Sequence, residues 1–327
     1  MPLLPSRRQL RAPRRRRGAA STATRPSIVV VGDLVLDVVI APDRTLEPGS
    51  DVTGGVQLRQ GGSAATAARW LGRIGARSTL ICAIGRDASG RALVAALTAD
   101  GVTVRAVRVA GERTGRIGVV VDASGQRSFV TARGAALRLR PEDIRASWFQ
   151  GAGALHLPAY SLLDPVTDAG LAAIGHARAA GARVTIDLAS AAPLLARGRE
   201  AALELLHRAA PDLLFATADE ARALLGSREL DILELAPVTV VKRGREGATI
   251  LVREGGDRLR FEVATMPIQP ADTTGAGDAF DAGFLAGWLG ALRRGVAPTA
   301  ALQRGAVLGN RTALRHLSTP PGELPLG

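Results

Sequence analysis

Short apolar runs alternate with longer amphipathic stretches through most of this chain. Ser27-Ile28-Val29-Val30-Val31 is a continuous apolar run closed by Gly32-Asp33, the pattern of a strand buried on both faces. Further runs over 80–84, 154–157, 183–187, 213–215, 238–242 and 249–252 predict strands. Between and after them, the spacing predicts helices over 64–75, 89–100, 165–180, 199–209, 218–225 and about 299–315, plus one directly after Asp278. Ser63 is placed to cap the first of these. Such alternation predicts an α/β fold with a mostly parallel central sheet covered by helices on both faces. Ligands of such folds sit at the carboxyl ends of the strands. Two β-rich segments, about 38–60 and 102–131, interrupt the plan with Gly, Pro and Asp turns. They are expected to meet as one small sheet.

Composition changes this picture at one end. The 327 residues carry a net charge of +12, and eight of those twelve charges are arginines within residues 1–25, which hold no acid. This Arg- and Pro-rich head, residues 1–26, has no apolar periodicity and reads as disordered. An inert extension, a polyanion-binding arm and a targeting peptide all fit it. Arg7-Arg8 is not followed by the apolar stretch that an export signal needs. The folded body is only mildly basic, and aromatic residues make up 3% of the chain, which disfavours stacking of single-stranded nucleic acid. Nucleic acid is therefore expected, if anywhere, at the head. No apolar run reaches the roughly 20 residues needed to span a bilayer. The single Cys82 excludes an intrachain disulfide framework and a multi-cysteine metal site. Lying inside an apolar run, it reads as a buried thiol in a reducing cytosol.

The densest chemistry is Asp272-Thr273-Thr274-Gly275-Ala276-Gly277-Asp278, followed by the apolar run that starts at Ala279-Phe280-Asp281. The Gly-Ala-Gly run opens a helix. The first N–H groups of a helix lack internal partners and stand at the positive end of its dipole, so they bind anions. Asp278 within that turn is awkward for an anion site unless it takes a proton from a hydroxyl that attacks a phosphoryl group. Taken alone, Asp278 would equally be a carboxylate favoured by the helix dipole.

These pieces, over about residues 27–323, resemble the ribokinase-like (PfkB) carbohydrate kinases. The heptapeptide with the helix behind it resembles that family's C-terminal signature. Gly61-Gly62-Ser63-Ala64-Ala65-Thr66 with Leu71-Gly72-Arg73-Ile74-Gly75-Ala76 resembles its N-terminal signature. Gly85-Arg86-Asp87-Ala88-Ser89-Gly90 and Val241-Lys242-Arg243-Gly244-Arg245-Glu246-Gly247 resemble two of its turns. The resemblance implies a three-layer sandwich with the small β-rich sheet as a lid, and an ATP- and Mg²⁺-dependent, cytoplasmic kinase acting on a sugar hydroxyl. Asp278 would be the base, and the amides of Gly275, Ala276 and Gly277 the anion hole. Asp37, Gly61, Gly62 and Thr66 would bind the substrate. Thr217, Glu220, Lys242, Gly244, Gly247 and Asn310 would bind the nucleotide, with Glu220 reaching Mg²⁺ through water. Asp272 would lie at a monovalent-cation site. A homodimer through the lid belongs to the same expectation.

The chain departs from the family at three places. Thr66 and Thr217 stand where Asn is usual, and Val35 stands where ribokinase has Asn. The chain contains one Asn and one Lys in all, so a compositional bias accounts for the losses. Two other readings remain: a nucleoside kinase of the same fold, and a catalytically degenerate kinase fold that only binds. Lys242 reads equally as a solvated charge at a strand end and Glu220 as a surface helix acid. The four histidines lack metal-ligand spacing and receive no role.

Overall fold

The computed structural model describes residues 25–122, 126–226, 229–268, 270, 272–319 and 322–324. Residues 1–24 of the Arg-rich head lie outside that set. Along the chain run β1 (Ser27–Val31), β2 (Val35–Pro42), β3 (Gly54–Gly61), α1 (Ser63–Arg73), β4 (Arg77–Gly85), α2 (Ala88–Ala99) and β5 (Val102–Val109). Next come β6 (Thr114–Val121), β7 (Arg127–Gly134), β8 (Ala154–Pro158), α3 (Thr167–Ala179), β9 (Arg183–Asp187), α4 (Ala191–Leu195) and α5 (Arg199–Ala209). The rest is β10 (Leu213–Thr217), α6 (Ala218–Leu225), β11 (Val238–Lys242), β12 (Ala248–Glu254), β13 (Asp257–Val263), α7 (Ala276–Arg293) and α8 (Pro298–Leu317).

The large sheet has the order β13-β12-β11-β10-β9-β8-β1-β4-β5. It is parallel from β11 to β5 and ends in two antiparallel strands, β12 and β13. Side chains of a strand alternate between faces, and here both faces are apolar. Ile28 and Val30 of β1 join one core with Leu80, Phe215, α1, α7 and α8. Val29 and Val31 join the other with Leu155, Ile186, α3, α5 and α6. Each such aliphatic side chain taken fully out of water contributes about 1.5–3 kcal/mol, so β1 is fixed between two helical layers at once. Cys82 is wholly buried in the first core, and burial pushes its thiol up to about 12.

The second sheet has four strands in the order β3-β2-β6-β7. It takes in 35–61 and 114–134. Residues 102–109 were expected here, yet they form β5, paired in parallel with β4 from Ser78↔Val102 to Gly85↔Val109. The helix α2 between β4 and β5 makes them a strand–helix–strand crossover of the large sheet, and the excursion starts only after Glu112. The strand order also reverses at β1, which has β4 on one side and β8 on the other. A crevice opens at the carboxyl ends of the strands at such a point. The loop after β1 leads straight into the small sheet there.

Candidate active site

A cavity of about 1910 Å³ lies at the carboxyl ends of the large sheet's strands, with the small sheet over it. Asp33 follows β1 and Asp37 lies in β2; both line the cavity. The Asp33 Oδ2 atom accepts from Arg133 Nη2 at 3.2 Å, and Arg133 in turn lies over the Tyr160 ring. The Oδ1 atoms of Asp33 and Asp37 are buried without a protein partner. A buried acceptor left unpaired is costly, so these two oxygens are positions where a hydroxyl-bearing ligand would gain. Burial pushes the Asp37 carboxyl up to about 7; Arg59 beside it opposes this and Asp33 adds to it. Two glycines make the arrangement possible. A Cβ at Gly61 would stand 2.0 Å from Asp37 Oδ1, and one at Gly62, where φ is +98°, would stand 2.4 Å from the Asp33 carbonyl oxygen.

Gly62, not Ser63, occupies the N-cap position of α1. Ser63 is the first helical residue, and its hydroxyl bonds the Asp278 carboxylate, a use the capping reading overlooked. Asp278 sits in the first turn of α7. Burial, then the Asp187 carboxylate, push it up to about 8, against the pull of Lys242 and the Ser63 bond. Gly275 is the N-cap of α7 with φ +79°; a Cβ there would stand 3.2 Å from both Thr66 Cγ2 and His316 Nε2. Thr66 thus packs on the turn that opens α7. Of the three expected anion-hole amides, that of Ala276 already donates to the Thr273 carbonyl at 3.2 Å. The amides of Gly277 and Asp278 have no backbone acceptor among the described residues, as the first turn of a helix dictates.

Lys242 is not a solvated charge. It ends β11, is 8% exposed, and its ammonium lies 2.8 Å from Asp187 Oδ1 and 3.2 Å from Asp281 Oδ2. Burial alone would lower its pKa; the carboxylates of Asp187, Asp281 and Glu220 outweigh that and hold it charged. A Cβ on Gly277 would be 3.2 Å from Lys242 Nζ, so the ammonium faces the free amides of α7. Thr217 is the N-cap of α6: its Oγ1 accepts from the Glu220 amide, and Glu220 Oε2 accepts from the Thr217 amide. Glu220 is therefore a half-buried capping-box acid and not a surface one. Its carboxyl is raised by burial and then by Asp187, with Lys242 opposing.

Three expected nucleotide contacts stand off the cavity wall: Gly244, Gly247 and Asn310. Asn310 Nδ2 donates to the carbonyls of Val263 and Ala264 at 3.1 and 3.2 Å, and a Cβ on Gly247 would meet the Val263 carbonyl at 2.2 Å. The Asn310 amide tethers α8 to the end of β13, beside the turn that carries Gly244 and Gly247. Asp272 carries ion pairs to Arg59 and Arg127.

Residues 25–322 match the pfkB family carbohydrate kinase profile. The chain belongs to that family. Among this kinase's curated relatives, a probable fructokinase-4 of Arabidopsis thaliana is 27% identical, with 80% of this chain and 82% of the relative covered. A ribokinase of Haemophilus influenzae is 28% identical, with 80% and 85% covered. The crystal structure of adenosine kinase from Sinorhizobium meliloti superimposes with a TM-score of 0.75 at 25% identity, covering 92% of this chain and 97% of that one. The protein is thus an ATP-dependent sugar or nucleoside kinase with the ribokinase-like architecture. A putative ribokinase II of E. coli, solved in complex with ATP and Mg²⁺, shares this fold with a TM-score of 0.68 at 23% identity, covering 87% of this chain and 92% of that one. Among the described residues no helix is long and apolar enough to cross a membrane.

Several residues of the kinase's cavity were not legible beforehand. Asp187 ends a predicted strand with no motif around it, being followed by Leu188-Ala189-Ser190, yet it is the nearest partner of Lys242. Asp281 follows Asp278 by one helical turn, and that spacing was a signal for a second inward carboxylate. His316 had no role, but its Nδ1 accepts from Trp70 Nε1 at 3.0 Å and its Nε2 donates to the Thr274 carbonyl at 2.7 Å. It ties α1 and α8 to the loop ahead of α7. Nothing in a lone histidine announces that.

Proposed function

We propose that this kinase transfers the γ-phosphoryl group of ATP to a hydroxyl of a monosaccharide, with Asp278 as the base. The observation that carries this reading is the first turn of α7. There a carboxylate of raised pKa stands beside unpaired amides and a buried ammonium, in the same cavity as two unpartnered carboxylate oxygens.

In this reading Asp33 and Asp37 accept hydrogen bonds from substrate hydroxyls and orient one hydroxyl toward Asp278. Asp278 removes that hydroxyl's proton as the oxygen attacks. The amides of Gly275 and Gly277, with Lys242, face the negative charge that develops on the moving group. The small sheet keeps water, the competing acceptor, out of the site. ATP with Mg²⁺ supplies the phosphoryl group. The cavity fits both: about 1910 Å³ exceeds the ~300–1,000 Å³ usual for a single ligand. Among the described residues no cluster of three or more His, Cys, Asp or Glu could cage a metal. That suits Mg²⁺, which typically uses one or two carboxylates plus phosphates, and Glu220 is the acid that would reach it through water. Gly244 and Gly247 would border the base end of the nucleotide.

A nucleoside acceptor is the second reading. It is favoured by the likeness to an adenosine kinase and by Val35, which is fully buried and apolar, so no amide stands there to meet a free ribose. A panel of sugars and nucleosides with ATP separates the two. Turnover of sugars supports the first reading; turnover of nucleosides alone replaces it with the second. Asp278→Ala should bind nucleotide and turn over nothing, and substantial turnover by that variant would remove Asp278 from the role of base.

A further inference from the structure

Asp272 begins the loop that runs into α7, and the family resemblance makes it a monovalent-cation ligand. The residues present do not fit that ion. Asp272 Oδ1 accepts from the Thr274 amide at 2.8 Å and pairs with Arg127 Nη1 at 2.5 Å. Its Oδ2 faces Arg59 Nη1 at 3.5 Å. Arg127 also donates to the Thr274 hydroxyl. Burial would raise the Asp272 carboxyl, but the Thr274 amide and Arg127 prevail and hold it below the usual range. Two guanidinium groups thus stand where a cation would have to, and a third positive charge there would be repelled.

Both arginines belong to the small sheet. Arg59 is on β3 and Arg127 begins β7, the two edge strands. Arg59 pairs in register with Asp37 and is the cation that most opposes the rise of the Asp37 carboxyl. One residue therefore stands opposite the expected substrate carboxylate and also pairs with the loop ahead of α7.

We propose that Arg59 and Arg127 take the place of a monovalent cation: they are positioning residues that order the 272–275 loop, so the anion hole is set by the small sheet and not by potassium. The inference rests on the kinase reading of the site. Substrate captured under the small sheet then favours the same arrangement that aligns the amides of α7, which couples acceptor binding to assembly of the anion hole.

The test compares the full chain in potassium chloride and in tetramethylammonium chloride at equal ionic strength, read by phosphotransfer and by thermal melting. Wild-type turnover should agree within about twofold between the salts, and its melting temperature should not depend on the cation. The Arg59→Gln/Arg127→Gln double variant should lose about tenfold or more in kcat/KM in tetramethylammonium and regain part of it in potassium. Arg127→Lys should keep most of the rate, which mere loss of packing would not predict. Wild-type turnover rising more than about fivefold in potassium, or a potassium-specific rise in melting temperature, would overturn the proposal. So would a double variant with wild-type kcat/KM. If the double variant does not fold, the two wild-type arms decide. If no acceptor is phosphorylated at all, the kinase reading of the site fails instead, and the melting arm still reports whether Asp272 binds potassium.

Discussion

Replacing Asp278 with Asn should make the protein more stable and catalytically dead, with a pH signature that ties both effects to one carboxyl group. The group sits at about 8 in the fold against an ordinary value of 3.8. Between those values the folded chain holds a proton that the unfolded chain has released. Its contribution to stability is therefore greatest at low pH, falls as pH rises from about 4 to 8, and then levels off. At about 1.36 kcal/mol per pH unit, the full span has a ceiling of about 6 kcal/mol. Asp278 borders an open cavity and has Ser63 and Lys242 as partners, so water and relaxation reduce this to about 1–2 kcal/mol. The amide of Asn has the same shape and no charge to desolvate. Its melting temperature should exceed that of the wild type by a few degrees at about pH 9 and by little or nothing at about pH 4.5. Turnover should fall by about 10²–10⁴-fold, the usual worth of a general base. A stabilisation of equal size at both pH values would locate its origin in packing and refute the electrostatic argument. Turnover within about tenfold of the wild type would refute the base.

Lys242→Met should leave Asp187 and Asp281 buried without their ammonium and cost about 3–5 kcal/mol in urea unfolding; a loss below about 1 kcal/mol would mean the pair is not desolvated as the structure has it. Asp37→Asn should raise the KM for the acceptor by about tenfold or more while nucleotide KM stays within about twofold, and equal changes in both would remove Asp37 from the acceptor site. Thr217→Ala should break the capping box of α6 and cost about 1 kcal/mol, whereas Thr217→Asn should keep the cap; equal melting temperatures for the two variants would dismiss the cap.

The layer order of the large sheet was legible because burial of both strand faces leaves continuous apolar runs, and because caps and glycines mark the helix ends. The boundary of the small sheet was less so. Val102 to Val109 has the same short β-rich pattern as β6, and only pairing with β4 across α2 shows which sheet it joins. The heptapeptide and the Gly61-Gly62 pair were readable as motifs, although what bars a side chain at Gly61 and Gly62 is the approach of Asp37 and the Asp33 carbonyl from the segment after β1. What escaped were contacts made between distant segments. Lys242 looks like an exposed strand end until Asp187 and Asp281 arrive from 55 and 39 residues away. Asn310, the one Asn in the chain, also ties α8 to the end of β13 through its amide, a contact that nothing local announces. Thr217 stands where Asn is usual, yet its hydroxyl caps α6 as an amide oxygen would, so Glu220 keeps its position without the Asn.

The placement of charge says more than its amount. The floor of the cavity is acidic, with Asp33, Asp187, Asp278 and Glu220 on its wall and Lys242 the ammonium among them, while Asp37 adds a carboxylate from β2 of the small sheet. The balancing arginines Arg59, Arg127 and Arg133 all come from β3 and β7 of the small sheet. Lifting that sheet would part Arg59 and Arg127 from Asp272, and Arg133 from Asp33. Partly exposed pairs are each worth about 0.2–1 kcal/mol, so the three together tie the small sheet to the rest of the cavity by about 0.6–3 kcal/mol. That is a factor of roughly 3 to 150. The arginine contacts thus place charge across the cavity in a way that composition alone, with its charge concentrated in the head, does not reveal.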